Sequence, residues 1–203
     1  MRSWWILLLS MITIQSAGSA TRNVSSPSGL KSRSCIAGLC IFPDSLPIKQ
    51  VIREYGGNKN AKELCYPIPK DGLCMKVTAF DHPGDSAEDV VSLEIKRGCS
   101  CKKVIQPLKA FPTILTSEGL GVGDSFKKVI SIYGIPRWIR AKNASAADKL
   151  GLHTEIAQFA PEDSLLHGHD FVFGYVPDYD DLNALFVYID EYKVAAIEAS
   201  ISE

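Results

Sequence analysis

Residues 123–136 read GDSFKKVISIYGIP, and residues 43–58 read PDSLPIKQVIREYGGN. Ile48, Val51, Ile52 and Tyr55 fall at i, i+3, i+4 and i+7. Phe126, Val129, Ile130 and Tyr133 repeat that spacing 78 positions later. This period lays four apolar side chains along one face of a helix. Asp44 or Ser45, and Asp124 or Ser125, stand where a cap accepts from the first-turn amides. Pro47 suits an early helical position because it has no amide hydrogen to satisfy. Gly56 and Gly134 mark the stops, where a left-handed backbone is wanted. Helices of about two and a half turns are marginal alone, so each needs a surface to lie on.

A sheet supplies that surface. VVSLEI at 90–95 is matched by VAAIEA at 194–199, now 104 positions apart, so the second copy holds 26 extra residues. Alternate residues are apolar: Val91, Leu93 and Ile95, then Ala195, Ile197, Ala199 and Ile201. Met75, Val77 and Ala79 alternate before the first, and Leu185, Val187 and Ile189 before the second. Period two with one apolar side marks a half-buried antiparallel strand. DEYK at 190–193 reads as the hairpin joining the last two strands. The expected class is α+β: two tandem α-β-β-β repeats, their helices packed on one face of an antiparallel sheet. The expected divisions are a signal peptide at 1–20, a flexible leader at 21–34, repeat one at 35–101, a linker at 102–116, and repeat two with its insertion at 117–203.

Residues 1–20 carry Arg2, an apolar run from Trp4 to Ile14, and small residues at 16–20. That run is too short to cross a bilayer, and the pattern is that of a secretory signal cleaved after Ala20. The expected location is therefore secreted or periplasmic, with no transmembrane anchor after cleavage. All six cysteines, Cys35, Cys40, Cys65, Cys74, Cys99 and Cys101, lie in the first copy. An even count in an exported chain reads as disulfides. Cys65 and Cys74 flank a turn and are expected to pair. Cys99 and Cys101 sit too close to bridge each other comfortably, which sends them to Cys35 and Cys40 in an undetermined order.

The net charge of −1 leaves no basic footprint for nucleic acid or anionic membrane. No Gly-x-Ser-x-Gly elbow and no Gly-x-x-x-x-Gly-Lys phosphate loop occurs. GLGVGD at 119–124 invites an anion-site reading, but a tight turn into the helix accounts for it better. Alternation predicts what the helix-free sheet face displays. In copy one it is Lys76, Thr78, Ser92, Glu94 and Lys96, a wet surface. In copy two it is Phe186 and Tyr188 beside Glu198 and Ser200, with Phe173 and Tyr175 on a neighbouring strand placed on the same side. Large aromatics on an open face are typical interface anchors. Equally, the insertion could fold back over them into a second small core. HGHD at 167–170 is the only cluster with metal-ligand flavour: His167, His169 and Asp170 lie on one short segment, and a zinc site would need further ligands.

EGLGVGDSFKKVISIYGIP at 118–136 resembles a phrase of small exported bacterial proteins: a glycine-led turn, Asp-Ser, an amphipathic helix, Tyr-Gly, then Pro. The tandem helix-plus-sheet plan is similar to the beta-lactamase inhibitor protein family and to outer-membrane assembly lipoproteins. The resemblance implies two copies joined into one sheet whose open face grips a partner. It carries no contact residues across, because no contact motif matches. The second copy also lacks the bridge that each copy of the inhibitor family holds, and no lipid-bearing cysteine is present.

The sequence thus points to a non-enzymatic, inhibitor-like binding protein that needs no cofactor and engages a protein or cell-envelope partner through Phe186, Tyr188, Tyr175 and Trp138. The alternative is a metal-dependent enzyme or metal-binding protein centred on His167, His169 and Asp170.

Overall fold

A computed structural model describes residues 35–41, 46–58, 61–80, 89–111, 114–143, 157–159, 164–175 and 183–201. The expected signal and leader lie outside these residues. So do the proposed caps Asp44 and Ser45.

The elements in chain order are β1 (Cys35–Ile36), β2 (Leu39–Cys40), α1 (Ile48–Tyr55), β3 (Glu63–Ile68), β4 (Leu73–Phe80) and β5 (Asp89–Arg97). Then follow α2 (Phe126–Tyr133), β6 (Trp138–Ala141), β7 (Ala157–Phe159), a 3-10 turn (Ser164–Leu166), β8 (Phe171–Tyr175), β9 (Asn183–Asp190) and β10 (Lys193–Ile201). Eight strands form one sheet in the order β3-β4-β5-β10-β9-β8-β6-β7. Every neighbouring pair is antiparallel except β6 with β7. The first and second halves of the chain therefore meet at the β5–β10 ladder, near the middle of the sheet.

Each predicted helix forms over its stripe. Ile48, Val51 and Tyr55 of α1 are buried, as are Val129 and Tyr133 of α2. They share one core with the alternate residues of the strands, among them Met75, Leu93, Ile95, Phe173, Val187 and Ile197. Ser125 caps α2 by accepting from the Lys128 amide at 3.3 Å. Pro47 is the N-cap of α1 rather than its first helical residue, and it offers no side-chain oxygen. The β1–β2 hairpin belongs to the same core: Ile36, Ala37 and Leu39 are buried, and Ala37 donates to the Leu115 carbonyl at 3.1 Å.

The two halves repeat one set of contacts. Leu46 O accepts from Val90 N at 2.9 Å, and Asp124 O accepts from Val194 N at 2.8 Å. Pro47 bridges Asp89, and Ser125 bridges Lys193. Gly56 N and Gly134 N each donate to the carbonyl four residues back at 2.8 Å. Both glycines have positive φ, at 86° and 76°, a region that side chains disfavour. Beyond them, the Tyr66 hydroxyl donates to Gly56 O at 2.6 Å and the Tyr175 hydroxyl to Gly134 O at 3.1 Å. Tyr66 also packs on Tyr55 as Tyr175 packs on Tyr133, with ring centroids 6.2 and 5.3 Å apart.

A bulge recurs too, and it corrects the strand reading. Thr78 faces Ser92 while Ala79 faces Val90, so Val91 is an extra residue in β5. Val194 faces Ile189 while Ala196 faces Tyr188, so Ala195 is extra in β10. One inserted residue shifts the alternation by one. Val90 and Val194 therefore fill the core positions expected of Val91 and Ala195, which are only partly buried.

The disulfides are Cys35–Cys40, Cys65–Cys101 and Cys74–Cys99. The expected Cys65–Cys74 bridge does not form, and Cys35 and Cys40 close on each other instead of reaching Cys99 and Cys101. The register explains the first point. Cys65 faces Lys76, and Cys74 faces Pro67, so the two cysteines are diagonal across the hairpin. After β5 the chain turns at Gly98 and runs back across the helix-free face, setting Cys99 near Cys74 and Cys101 near Cys65, with Cα separations of 5.1 and 6.3 Å. The expected linker then passes round to the helix-side core. Ile105 donates to the Cys65 carbonyl at 2.7 Å, and Phe111 stacks on Tyr55 at 4.1 Å. Among the described residues, no helix is long and apolar enough to cross a membrane.

Candidate functional site

The helices cover one side of the sheet. On the other side the strap of residues 99–104 lies over one end. A small second core lies over the other, and a polar groove runs between them.

The second core holds Leu166, Val172, Tyr188 and Ala196, with Trp138 and Phe186 half-buried against them. Leu166 comes from the 3-10 turn. The rings of His167 and His169 lie 5.7 and 5.1 Å from the Tyr188 ring. The insertion has folded back as one of the two sequence expectations allowed. Tyr188 is 2 % exposed, a core residue rather than an open anchor. Tyr175 and Phe173 are corrected as well. They are buried on the helix side, Tyr175 beneath α2, because β8 shows Val172 and Gly174 to the other face. Trp138 and Phe186 remain on the helix-free face, with centroids 5.8 Å apart. Trp138 faces Gly174 across the β6–β8 ladder, and a Cβ there would run into the indole. The glycine makes room for the tryptophan.

The groove encloses about 400 Å³. Its floor comes from both halves of the chain: Lys76 and Thr78 of β4, Ser92, Glu94 and Lys96 of β5, and Glu198 of β10. His167 and His169 form one wall. Glu94 and Glu198 face each other directly across the β5–β10 ladder. Like charges so placed repel, and neighbours relieve them. Lys96 Nζ lies 3.0 Å from Glu94 Oε1. Glu198 Oε1 accepts from the Ser92 hydroxyl at 2.8 Å, and Oε2 accepts from the Tyr188 hydroxyl at 2.9 Å. Burial first, and the Glu198 carboxylate second, push the Tyr188 hydroxyl pKa well above its ordinary value. Tyr188 therefore keeps its proton and acts as a hydrogen-bond donor at neutral pH. Lys76 is held by Glu63 at 2.8 Å, which raises its pKa and keeps its ammonium charged.

Among the described residues, no third ligand converges on the HGHD segment. His169 Nδ1 lies 2.8 Å from Asp190 Oδ2, and Asp170 Oδ2 accepts from the Glu191 amide at 3.4 Å. Among the described residues, Glu63, Cys65 and Cys101 form the one group of three whose ligand atoms lie within 4.8 Å of one another, and both of its cysteines are in a disulfide. His167 and Gly168 have φ of 47° and 87°, a turn that swings both imidazoles onto Tyr188. The glycine-led loop also resolves as a turn. Gly121 N donates to Asp124 Oδ2 at 2.8 Å, so a carboxylate of the chain takes the place an anion would have.

Sequence reasoning placed the polar floor correctly by alternation. It missed Phe80, which has the parity of Lys76 and Thr78 and is 44 % exposed. The same alternation, extended two residues, would have found it. No known protein family, curated protein or solved structure matches this chain.

Proposed function

We propose that this is an exported, non-enzymatic binding protein built from two tandem α-β-β-β units, and that it engages a protein partner with the helix-free face of its sheet. One observation carries the reading. That face holds a groove floored by both halves, and half-buried Trp138 and Phe186 stand on the same face. The repeated bulges, glycine stops and tyrosine contacts support the tandem plan, since unrelated segments have no reason to match in all of them. Three disulfides fit an oxidising compartment outside the cytoplasm. A protein suits the face better than a polyanion, because the groove floor balances two lysines against two glutamates. Half-buried aromatics beside hydrogen-bonding polar groups are the usual makings of an interface. The hydroxyl, carboxylate and ammonium groups of the floor already hold one another in place, so binding costs little side-chain ordering.

The test is capture of a partner from the extracytoplasmic fraction of the source organism, followed by variants. Phe186→Ala with Trp138→Ala should abolish capture while leaving the near-native melting transition. Lys49→Glu with Lys127→Glu, on the exposed sides of the two helices, should leave capture intact. Capture that survives the aromatic pair, or that is lost with the helix pair, would refute the assignment.

A further inference from the structure

We propose that the cleft at the end of the two central strands binds a phosphate group. It encloses about 290 Å³ and joins the polar groove through Lys96 and His169. Arg97 ends β5, Lys193 begins β10, and Gly123 and Asp190 line the cleft beside them.

The charge balance is the first reason. The chain as a whole carries a net −1, yet three cations line this cleft against one carboxylate. That carboxylate is occupied. Asp190 Oδ2 lies against His169 Nδ1 at 2.8 Å, and Oδ1 accepts from the Asp170 amide at 2.9 Å. Lys96 is shared with Glu94 at 3.0 Å. Arg97 and Lys193 have no carboxylate within 4.0 Å among the described residues.

Geometry is the second reason. The β5–β10 ladder stops at the Lys96–Ala196 pair, so the strands open just where Arg97 and Lys193 stand. Gly123 sits beside Arg97 at ordinary contact distance. Its φ is 94°, and a Cβ on it would lie 3.7 Å from the Arg97 guanidinium. Lys193 is fixed by its bridge to Ser125 and its hairpin partner Asp190. A planar guanidinium fork and two ammonium points from separate strands suit four oxygens in a tetrahedron better than the two of a carboxylate.

This inference is independent of the open-face reading, since either can fail alone. Isotope-labelled protein titrated with inorganic phosphate should show saturable shifts of the Arg97, Gly123, Lys193 and Ala195 amides. Acetate at matched ionic strength should bind about tenfold more weakly. Arg97→Ala with Lys193→Ala should weaken phosphate by about tenfold or more, as loss of charged hydrogen bonds does. Both residues are exposed, so an otherwise unchanged spectrum will confirm the fold. Phosphatidylcholine vesicles with and without phosphatidic acid distinguish the source of the group. Sedimentation that needs the phosphatidic acid and is lost in the double variant identifies a lipid headgroup. Phosphate binding without sedimentation identifies a soluble phosphate ester. No saturable shift, equal affinity for acetate, or an unaffected double variant would overturn the proposal.

Discussion

The two halves of the sheet share helix-end and bulge contacts but close their helix-free face by different means. Around β3, β4 and β5 the helix-free face is held by covalent stitches, Cys65–Cys101 and Cys74–Cys99, through a strap that crosses the strands. Around β8, β9 and β10 no cysteine exists. Leu166, Val172, Tyr188 and Ala196 close that end by apolar burial, with two histidines laid over the tyrosine ring. A disulfide acts mainly on the unfolded chain, whereas a buried cluster acts in the folded state. One half therefore depends on redox conditions, and the other on packing. Between the two closures, no described helix or strap covers the groove.

Removing either stitch is the sharpest way to break the comparison. Cys65→Ser with Cys101→Ser, or Cys74→Ser with Cys99→Ser, should each cost about 2–5 kcal/mol in denaturant unfolding, and reductant should mimic them in the wild type. The loops closed have sequence separations of 36 and 25 residues, so the first pair should cost slightly more. If reductant leaves the unfolding midpoint unmoved, the strap is not a stabiliser.

Tyr188→Ala attacks the other closure and should cost about 3–5 kcal/mol, irrespective of reductant. Tyr188→Phe keeps the ring and gives up only the hydrogen bond to Glu198, for about 1 kcal/mol. A similar cost for both variants would show that the second core is not packed as described.

Smaller effects test the shared frame. Tyr66→Phe and Tyr175→Phe each remove a bond to a helix-ending carbonyl and should cost a matched ~1 kcal/mol. The alkaline limb sharpens this. Burial pushes the Tyr66 hydroxyl up to about 12 and raises Tyr188 as well. The unfolded chain ionises these groups near pH 10 while the folded protein keeps them protonated. Stability is thus fully present below pH 10 and falls as pH rises above it. Tyr66→Phe should flatten that fall. An unchanged alkaline slope in the variant would remove Tyr66 from the account.

Much of this frame was legible in the sequence because helix and strand periods are local. The stripes ending in Tyr55 and Tyr133, their glycine stops, and the polar floor from Lys76 to Glu198 follow from spacing alone. The bulges at Val91 and Ala195 were not legible, since one inserted residue leaves composition unchanged while shifting which side chain faces inward. Disulfide partners depend on where the chain goes after β5. The turn at Gly98 carries Cys99 and Cys101 over the face, a long-range fact that spacing does not encode. The fate of Tyr188 likewise hinged on whether a distant segment, Leu166 with His167 and His169, would come to rest on it.

The central claim is that the helix-free face is the one that meets a partner. Amine acetylation of the lysines, followed residue by residue with and without the captured partner, tests it most directly. Lys76 and Lys96 lie in the groove, while Lys49, Lys127 and Lys128 are exposed on the helices. The account predicts that the partner slows acetylation of Lys76 and Lys96 and leaves the three helix lysines unchanged. Protection of Lys49, Lys127 and Lys128 with Lys76 and Lys96 still reacting at the free rate would contradict it.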